Sequence, residues 1–214
     1  MKLIHTKSNE TLLKEVPSIP FHDLSIVFYL FLDKDEHGQM TVLIRNDHLP
    51  IWNTDTSELY KLAIDNTPRL YPPCIRSMAS LINDMLFVNG TLIQPSFAAA
   101  SPNALDLTDS PIPLSILTNT SGIFGASAML YPGVLKEFSK KIGHDLIILP
   151  SSVHEVLLLP YDSTYSFQEM ADMVKDVNEK CVPVEEQLSN QVYYYSSAQD
   201  SIFLGGDPAS RILS

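Results

Sequence analysis

Leu24 to Leu32 is almost continuously apolar, rich in aromatic and β-branched residues and interrupted only by Ser25. Such a run is too short to cross a membrane, which needs about 20 residues, and suits a strand covered on both faces of a sheet. Asp33-Lys34-Asp35-Glu36-His37-Gly38 is a turn cluster, and Thr41 to Arg45 resumes as a second strand. Together they predict a hairpin.

Helical patterns follow. Asp55 and Glu58 have the spacing of a capping box, opening a helix whose Leu59, Leu62 and Ala63 share a face. Pro68 disfavours helical geometry in its predecessor and predicts an end near Thr67. Pro73 suits the first turn of a second helix, with Ile75, Met78, Ala79, Ile82, Met85 and Leu86 at helical spacing. Residues 88–113 lose this periodicity among prolines, serines and alanines and read as a linker or long loop.

Beyond it, Leu114–Leu117 and Ala126–Tyr131 read as strands around the Asn119-Thr120-Ser121-Gly122 turn. A helix begins at Pro132, buries Leu135, Phe138 and Ile142, and stops at Gly143. Leu146–Leu149 and Val156–Leu159 suit central strands. Ser166 and Glu169 form a second capping box, ahead of a stripe of Phe167, Met170, Ala171, Val174 and Val177. Val192–Tyr195 and Ile202–Leu204 read as an edge hairpin, and 205–214 as a loose tail. Strand pairs with helices on one face predict an α+β fold with a largely antiparallel sheet. The organisation reads as a unit over 1–87, the linker over 88–113 and a unit over 114–214, or as one compact domain.

At 214 residues the chain can bury about 70% of its unfolded surface without staples. A net charge of −11 and the lack of a basic stripe argue against nucleic-acid partners. Cys74 and Cys181 lie apart from each other and from any histidine, so they read as thiols in a reducing compartment. The first residues carry no apolar signal segment, and a soluble, cytoplasmic protein is expected. No cofactor or metal is expected, since the six histidines show no ligand spacing.

Three polar clusters stand at the predicted strand ends. Pro150-Ser151-Ser152-Val153-His154-Glu155 holds hydroxyls, an imidazole and a carboxylate. In an extended chain Ser152 and His154 share a face with Cα atoms about 6.6 Å apart, barely within reach. No Gly-x-Ser-x-Gly pattern surrounds either serine, and a turn whose side chains satisfy the backbone is the simpler reading. Arg45-Asn46-Asp47-His48 precedes Trp52, the single tryptophan, which reads as a staple or core plug, or else a ligand-stacking ring. Thr118-Asn119-Thr120-Ser121-Gly122 has turn chemistry. The candidate polar site is therefore Asn46, His48, Asn119, Ser151, Ser152, His154 and Glu155.

Several stretches resemble a family of clostridial and related Firmicutes proteins classed as a domain of unknown function. They include Ile19-Pro20-Phe21-His22-Asp23-Leu24, Leu43-Ile44-Arg45-Asn46-Asp47-His48-Leu49, Leu130-Tyr131-Pro132-Gly133-Val134-Leu135, the 149–155 segment and Tyr193-Tyr194-Tyr195. The resemblance spans nearly the whole chain and implies no activity. It implies an additional amino-terminal segment that this chain lacks, and a spacer that is Glu-rich in relatives. Two functions remain open. One is a non-enzymatic binding or interaction module with a protein or small-molecule partner and no membrane or nucleic-acid role. The other is a hydrolase-like enzyme built on Ser151 or Ser152, His154 and Glu155.

Overall fold

The computed structural model describes residues 1–35, 38–78, 114–150 and 152–206. Strands β1 (Lys2–His5), β2 (Ser18–Phe21) and β3 (Leu24–Val27) form an antiparallel sheet in the order β1-β3-β2, with Ile26 opposite both Leu3 and Ile19. The short helix α1 (Glu10–Leu13) links β1 to β2.

The apolar run from Leu24 does not continue as one strand. All four β3 residues are buried, as a central strand requires, but the chain leaves this sheet at Phe28. Among the described residues, strand β4 (Tyr29–Asp35) then pairs only with β5 (Gly38–Leu43), in a two-stranded ribbon with a bulge between Phe31 and Asp33. Leu30 and Leu32 are 38% and 53% exposed, so the second half of the run is not covered on both faces.

Helix α2 (His48–Trp52) precedes α3 (Thr56–Leu70). The Asp55 carboxylate accepts from the Glu58 N–H at 2.8 Å, as its spacing predicts. Helix α3 passes through Pro68 and ends at Leu70, so the expected stop at Thr67 comes three residues early. The proline removes only a last-turn donor, and buried Thr67 and the Tyr71 N–H to Thr67 carbonyl bond (2.8 Å) hold the turn.

Pro73 opens a strand rather than a helix. Strand β6 (Pro73–Ser77) pairs with β7 (Ser115–Asn119) at the edge of the large sheet, the position where proline is tolerated. The remainder of the expected helix from residue 79, the 88–113 segment and the tail from 207 lie outside the described residues. Residues 126–131 are also not a strand: Gly125–Leu130 is a 3₁₀ helix, whose small residues bury against β7 and the 152–155 turn.

The large sheet runs β11-β10-β8-β9-β7-β6, antiparallel throughout, with β8 (Leu146–Leu149), β9 (Val156–Pro160), β10 (Tyr193–Ser196) and β11 (Ser201–Leu204). Strands β8 and β9 are central as expected. Leu146, Ile148 and Leu158 face a core shared with the small sheet and α4 (Val134–Ile142), whereas Ile147, Leu149 and Leu157 face α5 (Phe167–Cys181). Gly143 closes α4 in the left-handed region at φ 77°, and Ser166 caps α5 by accepting from the Glu169 N–H at 3.3 Å. The fold is α+β.

Among the described residues, no helix is long and apolar enough to cross a membrane. None of their His, Cys, Asp and Glu side chains gather as a metal-holding group of three.

Candidate functional site

The Ser152–Glu155 segment is a tight turn joining β8 to β9, and the polar groups of Ser152 and the Val153 N–H are spent on neighbouring backbone. The Ser152 hydroxyl accepts from the His154 backbone N–H at 3.0 Å, and the Ser152 N–H donates to the Glu155 carbonyl at 3.3 Å. The Val153 N–H donates to the Glu186 carbonyl at 2.9 Å. Ser151 lies outside the described residues.

The His154 ring faces away from this hydroxyl bond. Its Nδ1 accepts from the Phe124 backbone N–H at 3.3 Å, and its Nε2 lies 3.6 Å from the Glu186 carboxylate. A backbone N–H can only donate, so Nδ1 is unprotonated and the neutral ring carries its proton on Nε2, towards Glu186. Burial pushes the Glu155 carboxyl above its ordinary value; His154 pulls it back, and Glu186 adds to the rise.

Asn119 ends β7 beside this turn. Its side-chain oxygen accepts from the Ser121 N–H and hydroxyl at 2.9 and 2.8 Å, and its amide donates to the Ile123 carbonyl at 2.9 Å. The resulting loop delivers Phe124, with a left-handed backbone (φ 54°), onto the His154 ring at 6.0 Å in a near-parallel stack. Thr118 Oγ1 donates to the His154 carbonyl at 2.8 Å, locking the two loops together. Gly125 is needed for this approach: a β-carbon there would sit 2.8 Å from the Asn119 nitrogen and collide with Thr118 Oγ1 and the His154 carbonyl.

Asn46 and His48 belong to a different set of bonds. Asn46 donates its side chain to the Lys14 carbonyl at 3.0 Å and its N–H to the Glu15 carbonyl at 2.9 Å. His48 Nδ1 accepts from the Arg45 N–H at 3.1 Å, and Arg45 pairs with Glu15. These residues fasten the β5–α2 turn to the segment after α1. Trp52 leans on the His48 ring at 5.0 Å and is 42% exposed, so it is no core plug; Leu49 packs on the core instead.

The structure places a cleft of about 420 Å³ between the β4–β5 ribbon, α3 and the Phe124 loop, within the common range of ligand sites. Its walls are Phe28, Tyr29, Leu30 and Phe31 on one side, Leu59, Leu62, Ala63 and Leu70 on the other, and Ile123 and Phe124 at the end. Tyr29 stacks on Phe124 at 5.5 Å, and Phe31 meets Tyr71 edge-on at 6.1 Å. Asn119 reaches this cleft, the only one of the described members of the sequence-derived polar set that lines it.

The Tyr71 hydroxyl, in the cleft wall, is buried with no hydrogen-bond partner among the described residues, and burial raises it above the ordinary tyrosine value; burial raises nearby Tyr131 too, against the lowering pull of Ser127 and Asn119. The Met1 amino group donates to Thr67 Oγ1 at 3.1 Å in the same cleft, and burial lowers its pKa to about 6. Large apolar residues rim the opening: Leu30 and Phe31 are 38% and 36% exposed, and Leu62 and Leu70 are 54% and 50% exposed. A second groove, about 670 Å³ between β6 and α4, is larger but carries Glu137, Lys141 and His144 and lacks such a rim.

The cleft residues come from segments distant in sequence, and the one advance signal was the excess of apolar side chains in Tyr29–Leu32.

The family model described as a family of unknown function, DUF5688, matches residues 1–197. The chain belongs to the DUF5688 family. No curated protein and no solved structure matches it. The DUF5688 match runs through both the cleft and the Ser152–Glu155 turn, ending just after β10.

Proposed function

We propose that this protein is a non-enzymatic binding module that holds an uncharged, apolar ligand or apolar partner segment in the cleft between the β4–β5 ribbon and α3. The carrying observation is the cleft itself, with mainly apolar walls and half-exposed Leu62 and Leu70 at its mouth. Soluble proteins rarely leave clustered large apolar side chains open without a use for them. The net charge of −11 supports a partner other than nucleic acid, and two cysteines that share no disulfide fit a cytoplasmic setting.

The hydrolase reading loses ground on geometry. Nucleophilic catalysis needs the serine hydroxyl within reach of a free imidazole nitrogen. Here the Ser152 hydroxyl meets the His154 backbone, while Nδ1 takes the Phe124 N–H and Nε2 faces Glu186. These bonds support a turn that buttresses the cleft wall.

The test is fluorescence of N-phenyl-1-naphthylamine, a neutral apolar dye, titrated with the folded protein at pH 7.5. Saturable enhancement with a blue shift, displaced by 1-octanol, is expected. Absence of saturable binding, or turnover of simple esters that Ser152→Ala abolishes, overturns the reading.

A further inference from the structure

The end wall of the cleft is held by a group that can change its proton count. Phe124 stands in the left-handed region, which costs a non-glycine residue energy, and several contacts keep it there. They include the Tyr29 and His154 stacks, the Ser127 hydroxyl donating to its carbonyl at 2.9 Å, and the hydrogen bond from its N–H to His154 Nδ1 at 3.3 Å. The last is lost when Nδ1 is protonated.

The His154 backbone cannot yield easily. Its N–H is bonded to the Ser152 hydroxyl, and its carbonyl accepts from Thr118 Oγ1. Protonating Nδ1 sets an N–H against the Phe124 N–H, and flipping the ring gives no relief because both nitrogens of an imidazolium donate. Charged groups stand on both sides of the ring. Glu186 lies 3.6 Å from Nε2 and Glu155 is adjacent in the chain, whereas the Lys2 ammonium sits 4.3 Å above the Phe124 ring. Tyr29, on the far face of Phe124, and the Met1 amino group, which lines the same cleft and whose pKa burial lowers to about 6, are further titratable neighbours.

We propose that His154 is a proton-operated latch on the Phe124 wall, so that mild acidification loosens the cleft and releases what it holds. This rests on the binding reading above. Loss of one hydrogen bond at the wall corresponds to about a three- to tenfold loss of affinity.

The experiment follows N-phenyl-1-naphthylamine affinity from pH 7.5 to 5.5 in the wild type and in His154→Asn, whose side-chain oxygen can stand in for Nδ1 as an acceptor that does not titrate. A three- to tenfold greater weakening in the wild type than in His154→Asn is expected, the Met1 amino group, with its pKa of about 6, contributing only the slope that the two proteins share. Equal slopes in both proteins, or no slope in the wild type, overturn the latch. The Phe124 amide resonance in a ¹H–¹⁵N correlation spectrum supplies a readout that needs no probe: it should move over the same pH range as the His154 ring signals. A Phe124 amide that ignores His154 overturns the latch even where the dye binds. Failure of the dye at pH 7.5 overturns the binding reading instead, and with it any effect of the latch on a ligand.

Discussion

Tyr29 and Phe124 stack at 5.5 Å with their planes 28° apart, joining the β4–β5 ribbon to the loop that follows β7. A two-stranded ribbon is marginally stable alone, so contacts of this kind set the ribbon's position and the width of the cleft beneath it. Tyr29→Ala should therefore weaken dye binding at least severalfold while costing about 1–3 kcal/mol in urea unfolding. Unchanged dye affinity in a variant that has lost that much stability would detach the stack from the cleft.

Gly125 permits the approach of the Phe124 loop to the His154 turn. Gly125→Ala places a β-carbon against Thr118 Oγ1, the His154 carbonyl and the Asn119 nitrogen, two of them backbone atoms that cannot swing aside. A destabilisation of about 1–3 kcal/mol is expected from chemical denaturation. A cost below about 0.5 kcal/mol would mean that the loops separate freely.

Three consecutive tyrosines each donate to an aspartate: Tyr193 to Asp23 at 2.5 Å, Tyr194 to Asp145, and Tyr195 to Asp200 at 2.6 Å. Burial first, and then the carboxylate beside each, raises all three above the usual tyrosine value. Raised folded values mean that the stability they contribute is full below about pH 10 and is lost as pH rises through the folded values. Alkaline titration of the native protein should thus leave several of the nine tyrosines protonated at a pH where the urea-unfolded chain is fully ionised. Coincident native and unfolded tyrosinate curves would contradict these pairings.

Asp145 titrates in the opposite sense. Burial raises it, but hydrogen bonds from Ser197 and Tyr194, aided by His144, outweigh burial and hold the carboxyl below its usual value. Its stabilisation is present above about pH 4 and disappears as pH falls through the lower folded value. The stability difference between wild type and Ser197→Ala should be full at pH 7 and shrink below about pH 4. A difference that stays constant to pH 3 would assign the loss to something other than Asp145.

Local signals in this chain are readable where the partners lie close in sequence. The Asp55–Glu58 and Ser166–Glu169 boxes and the Gly143 stop each satisfy groups within one helical turn, and all three appear as expected. Leu146–Leu149 and Val156–Pro160 carry enough apolar sequence to demand cover on both faces, and both are central strands. Phe28 is where this logic fails: nothing local marks it as the point where the chain changes sheets. Pro73 satisfies a helix start and an edge strand equally, and pairing with β7 decides between them. Ala126–Met129 is apolar because it is buried, not because it is extended. The polar clusters were visible as residues, yet their partners Lys14, Phe124 and Glu186 lie 30 or more positions away. That separation is why convergence of Asn119 with His154, and the different anchoring of Asn46 and His48, required the fold.

The most direct measurement of the central claim compares N-phenyl-1-naphthylamine binding by Leu62→Asp with binding by Val184→Asp. Leu62 is 54% exposed at the cleft mouth, and Val184 is 80% exposed on a segment that does not line the cleft. Both substitutions fall at exposed positions and should leave the unfolding midpoint nearly unchanged. The account predicts at least a tenfold loss of dye affinity for Leu62→Asp and wild-type affinity for Val184→Asp. Equal affinities in the two variants would contradict it.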